Sequence, residues 1–521
     1  MKVCITTAGI GSRLEEKTKN LNKSLISVNY KPVLSNIIDR FPKNTNFVIA
    51  LGYKKDPIKQ FLKQAYPYLK FQFVNIRNYQ GKGSGLGLTL LKCKKHLQEP
   101  FYYISCDTII TNKITKTRYN WVGISNKKFK KNYRGIKIKN NKVSNFIEKK
   151  DFDKKCKTYI GFAFINDYKI FWKGMNIKEQ ECIDTGEIFG LNYMLKNGST
   201  IKYKNFNWFD TGNLEKLNEA NKYLKNKEVN ILEKNDEAIW FVNNKVIKYS
   251  ESEEFIKKRI QRNKILQPFC PKIISSSKNM YLYKMVTGEV ISKIINKNLF
   301  DKFLQFSVKF WKKKKLKKID DNNFVKICHN FYKDKTIKRV NKFFNLYKMN
   351  DLNSNINGVK TPKLSEMLKK IDWDYISRGT PGRFHGDYHF ENILFNKNKN
   401  KFVLLDWRQN FNELINYGDI YYDLAKILHG IIVSHEVVSN NEFKINWNKN
   451  SIKFKIQRKK ALINCEKYFY KWIVKNNYDL KKVKLLTALI YLNIAPLHHH
   501  PYSLFLFALG KYMLWENLKN S

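Results

Sequence analysis

Apolar and polar positions in the first hundred residues alternate between strand-like and helix-like segments. Short apolar runs predict strands at Val3–Thr7, Phe47–Leu51, Phe71–Val74 and Phe101–Ser105. Segments with apolar residues at helical spacing lie between them, at Pro32–Phe41, Pro57–Ala65 and Gly85–His96. This order predicts an α/β domain with a parallel, Rossmann-like doubly wound sheet. Ligands of such sheets bind outside the carboxyl ends of the strands.

The pattern changes after residue 223, where a polar stretch rich in Lys and Asn predicts a linker at 226–237. The chain from Ala238 to about Gly288 then reads as short strands with one charged helix, and beyond Leu299 it is mostly helical. We therefore predict two domains, 1–225 and 238–521, the second with a small sheet-rich lobe and a larger helical lobe. A length of 521 residues agrees with two or more domains.

Composition supports folded domains and excludes several classes of protein. Hydrophobic residues make up 43% and aromatic residues 15%, which argues against disorder. No apolar run reaches the length of a membrane span, and the first residues lead straight into a glycine motif rather than a signal peptide. The eight cysteines contain no C-x-x-C pair, which indicates a reducing cytosol rather than disulfides or zinc. A cytoplasmic location is therefore predicted.

The formal net charge of +54 is open to two interpretations. A basic chain can bind nucleic acid or an anionic surface. Here Lys is spread along the whole chain together with Asn and Ile, without an Arg-rich tail or a nucleic-acid motif. We favour compositional bias and predict no specific nucleic-acid partner, although anionic nucleotides and phosphorylated substrates would benefit from the field. A non-catalytic nucleic-acid-binding scaffold is the alternative.

The stretch from Phe384 to Trp407 carries the strongest chemical signal. Asp387 precedes Asn392 by the interval that separates Asp from Asn in a kinase catalytic loop, and Asp406 ends an apolar strand-like run. A phosphoryl-transfer enzyme needs a proton acceptor, for which we assign Asp387, and metal ligands, for which we assign Asn392 and Asp406. The competing interpretation is a turn with solvated acids, which three groups in register make improbable.

This stretch resembles the aminoglycoside phosphotransferase and choline kinase family, whose pattern H-G-D-x-H-x-x-N is followed by an aliphatic run and I/L-D-W. The resemblance implies a two-lobed protein-kinase-like (α+β) domain that transfers phosphate from ATP with Mg²⁺. Lys248, on a strand-like segment, is the candidate for the lysine at the α- and β-phosphates; an exposed strand residue is the competing interpretation. The helix glutamate that should pair with it is not identifiable. Asp423, in a D-L-A element, is interpreted as structural.

A second motif follows the first predicted strand. The run Ala8-Gly9-Ile10-Gly11-Ser12-Arg13 is followed by Lys23. Glycines let backbone N–H groups approach triphosphate oxygens, and the two cations would stabilise departing pyrophosphate. The segment resembles nucleotidyltransferases that join an NTP to a sugar 1-phosphate or phosphocholine, with the pattern G-x-G-[ST]-R-x-x-P-x-T-x-x-x-P-K. Glu16 and Asn22 stand where that pattern has proline.

Further matches to the nucleotidyltransferase pattern extend over about residues 1–225. The family's loop near the nucleotide base corresponds to Gln80, Gly81 and Gly83, and its two metal-binding aspartates correspond to Asp107 and Asp210. Its sugar-phosphate segment and the glycine strand after it imply substrate-binding roles for Glu148, Lys149 and Gly161, although an exposed ion pair also explains the first two.

Together the two motifs predict a bifunctional enzyme that uses Mg²⁺, ATP and a second NTP. The kinase would phosphorylate a small molecule, and the nucleotidyltransferase would activate the product as an NDP derivative for surface glycan or lipid decoration. An NDP-sugar is favoured, and a choline kinase with CTP:phosphocholine cytidylyltransferase is the alternative. The sequence does not determine the acceptor, the base or the oligomeric state.

Overall fold

The computed structural model describes residues 1–126, 132–148, 155–224 and 236–519. The chain forms two compact units. The first comprises residues 1–253 and 274–285, and the second comprises 254–273 and 286–521. The predicted linker lies mostly outside the described residues, so the predicted domain boundary stays a prediction.

The first unit is an α/β structure. Its strands are β1 (Lys2–Thr6), β2 (Ser27–Val28), β3 (Lys31–Pro32), β4 (Asn46–Leu51), β5 (Lys70–Asn75), β6 (Phe101–Ser105), β7 (Thr108–Ile110), β8 (Trp121–Ser125), β9 (Gly135–Lys139), β10 (Lys142–Ile147), β11 (Lys157–Ile165), β12 (Lys202–Asn205), β13 (Trp208–Asp210), β14 (Glu237–Val242), β15 (Lys245–Ser250), β16 (Ile273–Ser277) and β17 (Met280–Lys284). Nine of these strands form one sheet with the order β10-β9-β11-β6-β1-β4-β5, in which β8 pairs with β11 and β12. Its helices are α1 (Val33–Ile38), α2 (Lys55–Ala65), α3 (Leu86–Cys93), α4 (Tyr168–Met175), α5 (Glu179–Thr185), α6 (Glu187–Lys196) and α7 (Leu214–Tyr223).

The predicted parallel layer is confirmed. Strands β1, β4, β5 and β6 run parallel, so their carboxyl ends meet at one edge of the sheet. Both faces of β1 are buried, with Val3 and Ile5 in one core and Cys4 in the other. A strand covered on both faces reads as a continuous apolar run, which explains why the sequence located these strands well.

Strands β14 to β17 form a separate four-stranded antiparallel sheet with the order β14-β15-β17-β16. This sheet packs on helix α2, where the rings of Phe61 and Trp240 lie 5.1 Å apart edge to face. Polar contacts add to the packing, since Gln64 donates to Ser277 at 2.6 Å and Gln60 accepts from the backbone of Asn279 at 3.0 Å. The sheet-rich segment expected to belong to the second domain therefore shares a compact unit with the N-terminal layer.

The second unit is mostly helical. Its helices are α8 (Glu253–Leu266), α9 (Ile291–Ile294), α10 (Lys297–Phe310), α11 (Lys318–His329), α12 (Lys335–Tyr347), α13 (Leu364–Lys369), α14 (Trp373–Ser377), α15 (Ile420–Ile432), α16 (His435–Ser439), α17 (Lys460–Lys475), α18 (Leu480–Ile494) and α19 (Tyr502–Leu518). Its strands are β18 (Glu289–Val290), β19 (Ser354–Ile356), β20 (Val359–Thr361), β21 (Pro381–Gly382), β22 (Ile393–Asn396), β23 (Lys401–Leu404), β24 (Gly418–Asp419), β25 (Phe443–Asn448) and β26 (Ser451–Ile456).

Helix α15 is the centre of the second unit and is buried on nearly every face. Helix α18 is tied to it by side-chain hydrogen bonds, from Thr487 to the carbonyl of Ala425 at 3.3 Å and from Tyr491 to the carbonyl of His429 at 2.8 Å. Polar residues on α15 are consequently held in fixed positions inside the unit. Among the described residues, no helix has the length and apolar character needed to span a membrane.

Candidate active sites

The glycine loop follows β1 and is shaped by Gly11. This residue has φ +76°, and a Cβ there would lie 2.9 Å from the Cβ of Lys23, so any side chain would both strain the backbone and displace the lysine. Gly9 has open space around it, and Ala8 is buried beneath the loop. Ser12 begins a short 3-10 helix that ends at Thr18, and Ser12 and Arg13 are exposed.

Asn22 holds the same loop in place where the family pattern has proline. Its fully buried side chain donates to the carbonyl of Thr7 at 3.0 Å and of Tyr53 at 2.8 Å, and it accepts from the N–H of Ser24 at 2.9 Å. These bonds tie the segment before Ser24 to the ends of β1 and β4. Three hydrogen bonds thus fix the position of Lys23 without the rigidity of a proline ring.

Asp107 lies just beyond β6 and is surrounded by donors. The Nζ of Lys23 is 3.0 Å from Oδ2, and Ser105 donates to Oδ1 at 2.5 Å. Burial alone raises the pKa of Asp107, but Lys23, Ser105 and Arg13 outweigh it and bring the pKa to about 2. The carboxylate is therefore ionised at any physiological pH, as a metal ligand must be.

Asp210 ends β13, which pairs with β7 in the register that sets Asp210 opposite Thr108. It accepts from Lys216 at 2.6 Å, from the hydroxyl of Tyr133 at 3.0 Å and from the N–H of Gly212 at 2.8 Å. Sequence reasoning missed Lys216 and Tyr133. A cavity of about 140 Å³ lies beside these groups.

The two aspartates approach a common point at Gly212. A Cβ on Gly212 would lie 3.0 Å from Asp210 Oδ1, 3.3 Å from Arg13 Nη2 and 3.6 Å from Asp107 Oδ2. A backbone hydrogen bond joins the same two segments, since the N–H of Thr211 donates to the carbonyl of Asp107 at 3.0 Å. The predicted pair of carboxylates and the predicted Arg13 are therefore together in space.

These residues fit a magnesium ion. Hard carboxylate oxygens are its preferred protein ligands, and it is commonly held by one or two carboxylates with phosphates and water completing the octahedron. Within the described part of the chain there is no cluster of three or more His, Cys, Asp or Glu that would hold a metal without such help. Two converging aspartates beside the glycine loop, which the sequence predicts to hold phosphates, agree with an ion that binds together with a nucleotide.

The remaining predicted residues of the first unit divide into three groups. Gly81 and Gly83 have φ of +81° and +76° in the loop between β5 and α3, with Gln80 exposed beside them. Gly161 has φ +69° on β11, where a Cβ would lie 3.2 Å from that of Ser105. Glu148 follows β10 and forms an ion pair with Arg134, and Lys149 lies outside the described residues.

Glu148 belongs to a separate charged cluster. Arg134 Nε is 3.3 Å from Glu148 Oε2, and its Nη1 is 3.9 Å from the buried Glu187. Burial raises the pKa of Glu187, and Arg134 opposes this effect. Tyr103 experiences the charges of both Glu187 and Asp107, so this cluster borders the aspartate site.

In the second unit, Asp387 is the centre of a tight polar arrangement. Its Oδ2 accepts from Asn392 at 3.1 Å and lies 3.4 Å from His389 Nε2, whereas its Oδ1 lies 2.8 Å from the Nζ of Lys426. Burial raises the pKa of Asp387, but Lys426 and His389 overcome it and hold the pKa well below its usual range. Lys426 on α15 was not predicted from the sequence.

Asn392 and Asp406 are brought together by a hairpin. Strands β22 and β23 pair with Ile393 opposite Leu404, and the N–H of Leu405 donates to the carbonyl of Asn392 at 2.7 Å. Asp406 has φ +53°, an uncommon conformation for a residue with a side chain and one that often marks a functional position. The two predicted metal ligands therefore flank the same end of one hairpin, as an ion bridging ATP phosphates requires.

Helix α8 presents arginine rather than glutamate to this segment. Arg259 Nη1 is 2.8 Å from Asp406 Oδ1, and the carbonyl of Arg259 accepts from Trp407 at 3.0 Å. Arg262 is fully buried and donates to the carbonyl of Phe384 at 2.5 Å. Lys248 lies on β15 in the first unit, and its assigned role stays a prediction.

Asp423 braces the catalytic segment, as interpreted from the sequence. It accepts from the N–H groups of His385 and Gly386, both at 2.7 Å, and from the indole of Trp311 at 3.0 Å. Burial raises its pKa to about 6 against these donors. Asp423 therefore fixes the backbone that carries Asp387 and does not face it as a ligand.

Comparisons with known proteins agree with both motifs. Residues 350–440 match the Phosphotransferase enzyme family (APH). The bifunctional protein GlmU of Methanocaldococcus jannaschii is 28% identical over 233 residues, which is 44% of this chain and 55% of that protein. The D-glycero-alpha-D-manno-heptose 1-phosphate guanylyltransferase of Campylobacter jejuni is 25% identical over 122 residues, 23% of this chain and 53% of that protein.

Among solved structures, the CTP:phosphocholine cytidylyltransferase LicC of Streptococcus pneumoniae is similar, with 17% identity, a TM-score of 0.36 and coverage of 43% of this chain and 99% of that chain. The chain spans about half the length of the two curated relatives. The predicted resemblances, to sugar-phosphate nucleotidyltransferases at the N-terminal end and to the phosphotransferase family at the C-terminal end, are confirmed.

Proposed function

We propose that the chain is a bifunctional enzyme that first phosphorylates a small molecule and then activates the phosphate as an NDP derivative. The observation that carries the proposal is the presence of two separate sets of acidic and cationic groups in one chain. Asp107 and Asp210 converge in the first unit, and Asp387, Asn392 and Asp406 are gathered in the second.

In the first unit, a phosphate oxygen of the acceptor attacks the α-phosphorus of the NTP and pyrophosphate leaves. Bound Mg²⁺, held by Asp107 and Asp210, would supply a charge that draws the two phosphates together. Lys23 and Arg13 supply the cations that stabilise the leaving pyrophosphate. No side-chain nucleophile is needed, because the attacking phosphate is already ionised.

In the second unit, Asp387 orients the acceptor hydroxyl and receives its proton as the hydroxyl attacks the γ-phosphorus of ATP. Asn392 and Asp406 would hold Mg²⁺, which would neutralise charge on the phosphates. The low pKa of Asp387 keeps it ionised before the reaction, so its main contribution is to position the hydroxyl.

The favoured final product is an NDP-sugar for surface glycan or lipid decoration, made in the cytoplasm. Support comes from relatives whose names specify a heptose 1-phosphate and, in a Haloferax volcanii protein 28% identical over 111 residues, glucose 1-phosphate. None of the eight cysteines, all of them described and buried, is joined in a disulfide, which suits a reducing compartment.

The test separates the two activities in the full-length protein. Asp387→Ala should abolish ATP-dependent phosphorylation of the acceptor and preserve condensation of NTP with the phosphorylated acceptor. Asp107→Ala should do the reverse. The exposed Asp374→Ala is the matched control and should preserve both activities. Products are read by mass spectrometry over free sugars, choline and ethanolamine with each NTP. Loss of both activities in either site variant, with folding intact, would exclude two independent sites.

A further inference from the structure

Lys426 contacts Asp387 and belongs to a connected group of four cationic side chains, which we call the Asp387 cation cluster: Lys335, Arg339, Arg408 and Lys426. Lys426 makes the direct contact at 2.8 Å from Oδ1 and is only 9% exposed. Arg408 lies against the neighbouring residue, since a Cβ on Gly386 would be 2.5 Å from its Cβ and 3.0 Å from its Cδ. Gly386 thereby makes room for the arginine beside the catalytic segment.

Lys335 and Arg408 share an aromatic surface. The Nζ of Lys335 is 4.4 Å from the ring centre of Phe331 and 5.5 Å from that of Tyr422, and the guanidinium of Arg408 is 5.1 Å from Phe331. Cation–π contacts of this kind hold a positive group in place without neutralising it. Arg339 follows Lys335 by one turn of α12, on the same face of the helix.

The cluster has an excess of positive charge. Within the described residues, Lys426 has Asp387 as its carboxylate partner, and none of Lys335, Arg339 and Arg408 forms an ion pair with a carboxylate. Burial, together with Arg408, Lys426 and Arg339, holds the pKa of Lys335 well below its ordinary value, and Asp387 is the carboxylate that opposes them. Like charges this close repel one another, so the arrangement is costly unless an anion binds there.

The backbone before Lys335 is also unusual. Residues Asn330–Asp334 form a π-helical turn between α11 and α12. Such turns are rare and are frequently found at functional sites, because they redirect the side chains that follow. Here the turn carries Phe331 and delivers Lys335 to the cluster.

We propose that the acceptor phosphorylated by the second unit is itself an anion, a hydroxyl compound whose carboxylate or phosphate group is bound by Lys335, Arg339 and Arg408. The inference rests on the proposed phosphotransferase function and narrows its substrate class. A cationic acceptor such as choline would be repelled by the same residues.

The two oxygens of Asp387 indicate that the cluster faces the acceptor rather than ATP. Oδ2 faces Asn392, one of the groups assigned to the metal and ATP phosphates. Oδ1 faces Lys426 and hence the cluster. The acceptor hydroxyl would approach Asp387 between Asn392 on one side and the cation cluster on the other. The anionic group of the acceptor would then lie against the cation cluster.

The experiment uses the full-length protein with ATP and matched sets of acceptors. Hexoses, N-acetylhexosamines and polyols are each supplied in neutral, carboxylated and phosphorylated form, with choline as the cationic probe. Initial rates of ADP formation give kcat and KM for acceptor and for ATP. The variants are Lys335→Met and Arg339→Met, and the matched control is Lys338→Met, an exposed lysine on the same helix.

We expect anionic acceptors to be preferred over neutral ones, with the carboxylated and phosphorylated sets showing which anion is bound. Lys335→Met should raise KM for the anionic acceptor by about tenfold or more, the effect expected for loss of a charge-assisted hydrogen bond. The KM for ATP should change by less than about twofold, and Lys338→Met should behave as wild type.

Three results would overturn the inference. The first is that neutral or cationic acceptors are phosphorylated as efficiently as anionic ones. The second is that Lys335→Met changes the KM for the acceptor no more than Lys338→Met does. The third is that Lys335→Met raises only the KM for ATP. In each case phosphorylation still occurs, so the proposed function survives. Absence of phosphorylation of every acceptor would instead overturn the proposed function and the inference with it.

Discussion

Replacement of Gly212 by alanine tests whether Asp107 and Asp210 act as one metal site. The added methyl group would lie 3.0 Å from Asp210 Oδ1, 3.3 Å from Arg13 Nη2 and 3.6 Å from Asp107 Oδ2. Gly212 does not have a left-handed φ, so alanine adopts its backbone conformation without strain. The substitution therefore perturbs the meeting point of the two carboxylates and spares the fold.

The size of the effect follows from these distances. A carbon 3.0 Å from a carboxylate oxygen is tighter than ordinary contact, so Asp210 must move by a few tenths of an ångström. Magnesium requires oxygen ligands at about 2.0–2.1 Å, and usable sites keep within about 0.2 Å of such values. Misplaced ligands commonly cost roughly 10–100-fold in metal affinity or activity, or about 1.4–2.7 kcal/mol.

The assay is a magnesium titration of pyrophosphate release, accompanied by Mn²⁺ binding in the presence of NTP measured by electron paramagnetic resonance. We expect Gly212→Ala to raise the half-saturating metal concentration by about 10–100-fold. Thermal stability should change little, because the restriction of the unfolded chain by alanine, about 0.4–1 kcal/mol, opposes the cost of displacing Asp210 and Arg13. The kinase activity of the same molecule is the internal control. Metal affinity and nucleotidyl transfer both within about twofold of wild type would refute a shared ion.

Three further outcomes are expected. Lys23→Met should lower nucleotidyl transfer and cost about 1–3 kcal/mol in urea unfolding, because the half-buried carboxylate of Asp107 loses its partner; an unchanged midpoint would contradict this. Asp387 raises the pKa of His389 to about 9, although burial alone would lower it. Protonated His389 therefore stabilises the folded state fully below the pKa that this histidine has in the unfolded chain, and the stabilisation is lost as the pH rises through 9. His389→Gln should flatten that loss in thermal unfolding between pH 6.5 and 9. Asp423→Ala should destabilise the second unit by several kcal/mol, since three donors lose their acceptor, whereas replacement of the exposed Asp374 by alanine should leave calorimetric stability nearly intact.

The parallel half of the first sheet was predictable because β1, β4 and β6 are short, continuous apolar runs that are buried almost throughout, although the edge strand β5 is only partly buried. The observed bounds of β1 and β6 agree with the predicted runs to within one residue. The antiparallel half was not predictable in this way. Strand β11 pairs with β6, β8 and β9, and such partners are separated in sequence by loops that leave no periodic signal.

Candidate site residues were predictable where the reaction requires them at a fixed interval along the chain. They were not predictable where the site requires only a positive charge that any nearby element can supply. Asp387 and Asn392 share a loop, so their interval records their geometry. Lys216 and Lys426 reach their aspartates from helices α7 and α15, and among 98 Lys and Arg residues neither has a sequence signal of its own. Asn22 shows the opposite case. It departs from the family pattern, which has proline there, and this departure seemed to weaken the match, but its side chain is buried and holds the loop by hydrogen bonds.

The net charge of the chain and the charge at one defined position carry different information about the proposed product. Exposed lysines contribute a field that physiological salt screens within about 8 Å, so the net charge of +54 says little about any one ligand. The Asp387 cation cluster is different, because its members are at least partly buried, two of them, Lys335 and Arg408, pack on aromatic rings, and within the described residues Asp387 is the one carboxylate paired with the cluster. A choline kinase would need the opposite charge at this position. The proposed anionic acceptor therefore argues against choline, and of the two products that the motifs allow it leaves the proposed NDP-sugar.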